Sequence, residues 1–334
     1  MKKRLLLYGG GAALLLLFSF TLSLSIGSSM IPITEVWSVL LGKGDEVSTA
    51  IVINVRLPRI ILAILVGSAL AVAGAGFQGV LRNPLADPYI LGVSSGASFG
   101  AAFVILFGLQ SVLFGIYSIP IVAFLTGVLT LLLVIKIAMT SGQMKKETLI
   151  LSGVVVQAFL GSFISLMVSM SGKAINEIVF WMMGSLTMRG WEYPKIMAPY
   201  LFIGIVILLS QGRALNLFTL GERQALHLGV NVERTKMVVL ITSTLLTASA
   251  VSVSGVIGFV GLVVPHLIRM VVGPDYRLII PLSVFGGSIY VLWADTIARM
   301  ALMPKEIPLG VVTSLLGAPF FAYLLKKGKK GVKL

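Results

Sequence analysis

Cysteine is absent from the 334 residues, which excludes disulfides and thiolate metal sites. There are two histidines, His227 and His266, and they lie in separate segments, so no histidine metal site is expected. Charged residues make up 11% of the chain, against roughly a quarter in a water-soluble domain. Of the 12 acidic residues, almost none falls in the middle of an apolar run; Asp295 is the main exception. That scarcity argues against a chain that couples ion or proton flow to transport by itself. No G-x-x-x-x-G-K-[ST] segment occurs, so the chain is not expected to hydrolyse ATP.

What the sequence has in excess is apolar length, with 57% of residues hydrophobic. Ten runs read as candidate membrane helices, near 5–26, 60–81, 90–109, 120–139, 148–170, 194–210, 236–254, 256–272, 278–297 and 307–325. Gly, Ser and Pro interrupt the third and the eighth. The first run is longer than the apolar core of a usual signal peptide and has no small-x-small cleavage site, so it reads as an uncleaved span. This is an all-α, polytopic membrane protein.

An even number of spans puts both termini on one side. Lys2, Lys3, Arg4, Lys326, Lys327, Lys329, Lys330 and Lys333 mark that side as cytoplasmic. Most of the remaining cations then fall on the same side, among them Arg82, Lys145, Lys146, Arg213, Arg223, Arg234, Lys236 and Arg277. The net charge of +14 is thereby matched to anionic lipid headgroups, with no need for nucleic acid.

Arg56, Arg59 and Arg299 fall on the opposite side, at the ends of spans. They could reach lipid phosphates, or form a docking patch for acidic side chains of an external protein. Pro58, in a first helical turn, fixes the backbone between the first two. Arg299 is also four residues beyond Asp295, the spacing of a helical ion pair. Gly67, Ala71, Ala75 and Gly79, and again Gly92, Gly96 and Gly100, recur every four residues as packing stripes.

The most polar internal stretch is "QGRALNLFTLGERQALHLGVNVERTK", 211–236. "TLGE" reads as a capping box, with Thr219 as N-cap and Glu222 at the third helical position. The helix it opens should stop at Gly229, and Asn231 should cap the next one. The expected product is an amphipathic knuckle. It is either a solvated connection or a rigid element that presses on a cytoplasmic partner.

The chain resembles the membrane-spanning permeases of type II ABC importers, the FecCD-type family that takes up ferric siderophores, haem and cobalamin. The resemblance rests on "RLPRIILAILVGSALAVAGAGFQGVLRNPLADPYILGVSSGASFG", "FWMMGSL", "LGERQALHLGV", "GVIGFVGLVVPHLIRMVVGPDYR" and "ADTIARMALMPKEIPLGVVTSLLGAPFFAYLL", in that order. It implies one permease domain over 1–334 with ten helices, spans 2–5 and 7–10 being inverted repeats. It implies no cofactor and no enzyme activity. The implied partners are a second permease subunit, two ATP-binding subunits on the cytoplasmic side and an extracytoplasmic substrate-binding protein. The implied location is the cytoplasmic (inner) membrane of a prokaryote.

The resemblance assigns Arg56, Arg59 and Arg299 to binding-protein docking. It assigns coupling helices at about 212–235 to ATPase contact, with Thr219, Leu220, Gly221, Glu222, Arg223, Ala225, Leu228, Gly229 and Val230 at their centre. It lines the pathway with spans 5 and 10, here Ser152, Gln157, Ser162, Ser165, Ser169, Thr313, Ser314 and Gly317. An uncharged wall of this kind holds a bulky ligand weakly and so lets it pass. A ferric siderophore is the expected cargo, haem or cobalamin the alternatives, and an ion-coupled secondary transporter the remoter reading.

Overall fold

The computed structural model describes residues 2–140 and 143–328. Lys329, Lys330 and Lys333, counted above as terminal cations, lie outside the described residues. The helices, in chain order, are α1 (Lys2–Ser25), α2 (Ile33–Leu40), α3 (Glu46–Thr49), α4 (Leu57–Val80), α5 (Val93–Leu106), α6 (Ser118–Ala138), α7 (Lys146–Met170) and α8 (Ile175–Met182). There follow α9 (Glu192–Ser210), α10 (Gly212–Phe218), α11 (Glu222–His227), α12 (Val232–Ser254), α13 (Val260–Val272), α14 (Tyr276–Met300) and α15 (Leu309–Gly328). Among the described residues the only strands are β1 (Met139–Thr140) and β2 (Gln143–Met144), paired antiparallel.

Seven helices are long and apolar enough to cross a membrane: α1, the run ending in α4, α6, α7, α9, α12 and α14. The runs expected at 90–109 and 256–272 give shorter helices, α5 and α13, and the apolar stretch Leu309–Tyr323 of α15 is short as well. The reason is local. Gly92 (φ 77°) and Phe259 (φ 67°) are left-handed, so each helix can begin only after that residue. The segments before these two helices meet. The Tyr89 hydroxyl donates to the Ile257 carbonyl (2.9 Å) and accepts from the Ile257 amide (3.3 Å).

α4 is the central post, buried over nearly its whole length and ringed by α9, α12, α13 and α14. Small residues make that possible. A Cβ on Gly67 would collide with the Gly287 carbonyl, and one on Gly74 with the Gly261 carbonyl. Close backbone approach of this kind replaces the hydrophobic drive that lipid cannot supply between helices. A π-helical turn, Ala50–Arg56, leads into α4 and shifts the hydrogen-bond register: the Leu57 amide bonds back to Val52. Pro58, which has no N–H to give, therefore sits early in α4 without breaking it.

α14 starts at a cap. Asp275 accepts from the Arg277 amide (3.0 Å), pairs with the Arg277 guanidinium (2.7 Å) and receives the Asn216 amide (2.6 Å) from α10. The Arg277 bonds outweigh partial burial and hold the Asp275 carboxyl down, from 3.8 to about 2. Its folded pKa is depressed, so the stability it contributes is present above its ordinary pKa and fades as pH falls toward 2. Asp275→Ala should cost about 1 kcal/mol. Thermal unfolding should show that difference at neutral pH and lose it in acid.

Candidate functional site

Arg56, Arg59 and Arg299 come together in one cleft of about 580 Å³, beside Val55, Met303 and Glu306. Their roles there differ. Arg56 is 4% exposed. It donates to the carbonyls of Leu24 (2.5 Å), Ser25 (3.1 Å) and Ser29. A helix leaves its last carbonyls unpaired, so this guanidinium closes the end of α1. Arg59 grips Asp295 (2.9 Å) and Glu306 (2.9 Å) at once. Asp295, fully buried, also pairs with Arg299 (3.2 Å), as the four-residue spacing suggests. Arg299 further donates to Ser23 Oγ on α1 (3.0 Å).

Three guanidiniums face two carboxylates here, which leaves the cleft with an excess of positive charge. Glu306 is its half-buried rim, and the Thr187 hydroxyl donates to it (2.5 Å). Burial pushes the Glu306 carboxyl up, but the bonds from Arg59 and Thr187, with the nearby Arg299 charge, bring it below its ordinary value. The Glu306–Arg59 link should therefore hold at neutral pH and weaken as pH drops below the usual carboxylate range. A fall in thermal midpoint of wild type toward that of Glu306→Gln on acidification would register it.

The other end of α4 carries the knuckle, roughly 36 Å away along a 24-residue helix. The capping box is not formed. Thr219 ends α10 in helical conformation, and its hydroxyl donates to the Asn216 carbonyl (2.6 Å). Gly221 (φ 114°) is the N-cap of α11 instead, so Glu222 stands at the first helical position. The turn at Gly221 uses a conformation that only glycine adopts cheaply. It frees the Glu222 side chain for Lys236 (2.8 Å) and Arg82 (3.8 Å).

The end of α11 follows the sequence. Gly229 (φ 85°) stops it, the Val230 amide reaching the Ala225 carbonyl (3.0 Å) and the Gly229 amide the Leu226 carbonyl (2.9 Å). Asn231 caps α12 through the Arg234 amide (3.0 Å). Ala225 is buried, Arg223 is exposed, and Leu220, Leu226 and Leu228 stand 59%, 60% and 58% exposed.

On α7, Gln157, Ser162, Ser165 and Ser169 are exposed within an arc of about 140°, together with Ala158 and the half-buried Gly161. The adjoining arc is apolar: Phe159 and Phe163 meet edge to face at 5.0 Å, and Phe163 meets Phe99 of α5 edge to face at 6.2 Å. Ser152 lies on the opposite side and is buried. Gln157 flanks the break at Gly92, and Ser314 flanks Gly258. Thr313 is buried and bonds the Gly310 carbonyl (3.1 Å), while Gly317 is covered by Phe259. Of the expected pathway residues, Ser152, Thr313 and Gly317 are buried within this subunit.

Residues that the sequence did not single out complete both ends: Glu306 and Thr187 in the arginine cleft, Lys236 under the knuckle. Lys236 carried one signal, Glu233 three residues before it. Glu306 carried another, as a rare acid between Pro304 and Pro308.

The sequence pattern of the FecCD transport family matches residues 15–327. The chain belongs to that family. The family match covers both short helices, the knuckle and the arginine cleft. A Bacillus subtilis (strain 168) protein, the uncharacterized ABC transporter permease YvrB, is 44% identical over 94% of this chain and 91% of its own. The cobalamin import system permease BtuC of Halobacterium salinarum is 43% identical, over 84% of this chain and 74% of its own. A solved structure described as an inward-facing, metal-chelate type ABC transporter superposes with a TM-score of 0.86 at 36% identity, covering 98% of this chain and all of that one.

Proposed function

We propose that this FecCD-family chain is the permease subunit of an ATP-binding-cassette importer that carries a ferric siderophore across the cytoplasmic membrane of a prokaryote. The observation that carries the reading is the knuckle: three exposed leucines on a short, capped helix-turn at one end of the bundle. Apolar side chains grouped this way need a protein partner, and a chain without a phosphate loop needs a separate engine. Two ATP-binding subunits fit that surface, with both termini on the same, cytoplasmic side. The binding protein docks at the opposite end, over the positive arginine cleft. A second permease subunit faces α7 and α15, and cargo passes along the Gln157–Ser169 stripe. The breaks before α5 and α13 support an inverted repeat of spans 2–5 and 7–10, since half-length helices in corresponding positions mark such folds.

The siderophore is preferred because the chain is similar to a metal-chelate type transporter and because neither α7 nor α15 carries a histidine or cysteine for haem iron. Cobalamin is the second reading, favoured by similarity to a cobalamin permease. Growth rescue of a transport-deficient strain on single iron sources or on cobalamin separates them. Reconstituted alone in vesicles, the chain should concentrate nothing. Uphill uptake driven by an ion gradient, with no companion subunit, would refute the importer reading.

Docking has its own test. Arg56 and Arg59 hold the fold, so reversing their charge would confuse docking with unfolding. Val55, 62% exposed on the cleft rim, avoids this. Val55→Glu should abolish binding-protein-dependent uptake, and Val55→Lys should preserve it. Equal uptake by the two variants would reject a carboxylate-bearing partner at this cleft.

A further inference from the structure

Lys236 keeps a charge where charge is costly. It lies in the second turn of α12 and is 5% exposed. An unpaired ammonium there would be strongly destabilising. Its three N–H donors find acceptors in three elements: Met144 O of β2 (3.1 Å), Glu222 Oε2 of α11 (2.8 Å) and Glu233 Oε1 of α12 (3.2 Å). Glu233 Oε2 in turn accepts from the Met144 amide (3.3 Å). Met144 is therefore gripped at both its backbone groups. Two residues later, at Lys146, α7 begins.

Without this grip the knuckle would be loose. α11 has only six residues, and it is joined at each end through a glycine of positive φ, Gly221 and Gly229. A surface ion pair, worth about 0–1 kcal/mol, would not hold such an element in register. A buried lysine shared by two carboxylates and a carbonyl is of another kind, because an ammonium that loses those partners is stranded away from water.

We propose that Lys236 is a positioning residue that locks α11, the β1–β2 ladder and the base of α12 into one body, so that a displacement delivered to the knuckle arrives at the start of α7. This rests on the reading that the knuckle receives the ATPase movement, and it adds the route by which that movement reaches the polar stripe.

The absence of native cysteine gives a direct test on the full chain in lipid nanodiscs. Cysteines placed at His227 and Lys145, both exposed, carry spin labels whose separation is read by pulsed electron resonance. Wild type should give one narrow distance distribution. Lys236→Met should broaden it about twofold by removing the contacts that tie the three elements together, and Lys236→Arg should keep it narrow. Should Lys236→Met fail to fold, the neutral variant Lys236→Met/Glu222→Gln/Glu233→Gln carries the test: it removes the repulsion between the two unpaired carboxylates and should still be broad. A narrow distribution in either methionine variant overturns the proposal, because packing alone would then hold the elements. Capture of an ATP-binding subunit by the wild-type chain tests the underlying reading apart from the lock. A chain with a narrow distribution that captures none would refute the ATPase reading and leave the lock standing.

Discussion

Asp295→Ala should cost about 3–5 kcal/mol, the usual penalty for stranding the partners of a buried ion pair. Asp295 is fully buried and answers two guanidiniums, Arg59 and Arg299, which are themselves 11% and 9% exposed. Removing it leaves Arg59 with Glu306 alone and Arg299 with hydroxyl and carbonyl partners only. Three elements lose their common anchor at once, because Arg59 begins α4, Asp295 and Arg299 end α14, and Arg299 reaches α1. The variant should accumulate poorly, and in detergent its thermal midpoint should fall by several degrees. Glu306→Gln touches the same cluster at its exposed edge and should cost no more than about 1 kcal/mol. Equal midpoints for wild type and Asp295→Ala would show that solvent reaches the cluster and that the burial argument is wrong.

Leu226→Asp combined with Leu228→Asp should leave the fold intact and abolish capture of the ATP-binding subunit. Both side chains are already more than half exposed, so little burial is lost within the chain. Against a partner the loss is large. Two apolar anchors at the centre of an interface are each worth about 2 kcal/mol or more, together roughly a thousandfold in affinity. Ala225→Asp is the contrasting control, since Ala225 is fully buried and a carboxylate there should disrupt the knuckle itself. Co-purification from detergent extracts, with size-exclusion profiles to report folding, reads both. Undiminished capture by the leucine double variant would remove the knuckle from the interface.

The membrane class was legible without coordinates because it depends on composition and run length. The turn chemistry of the knuckle's far side was legible as well: Gly229 stops α11 and Asn231 caps α12, since a cap acts over a few residues that the sequence places side by side. At Thr219 the same logic failed. A threonine can end one helix as readily as begin the next, and the choice fell to Gly221, whose positive φ puts the turn two residues later. The helices in the third and eighth apolar runs are shorter than those runs for a related reason. Their apolar runs continue through Gly92 and Phe259, and a left-handed residue there resets the helix start.

Composition, spacing and local caps determined by themselves that this chain is a helical membrane protein with a polar knuckle and three arginines at the ends of its apolar runs. Only the tertiary structure decided what those charges touch. Arg59 meets Asp295 across 236 residues of sequence, and Lys236 meets Met144 across 92. Contacts at such separations depend on how α4, α12 and α14 cross, and the crossing is fixed by glycines that let backbones meet. No local pattern encodes that distance, so a buried ion pair and a free docking charge look alike until the helices are packed.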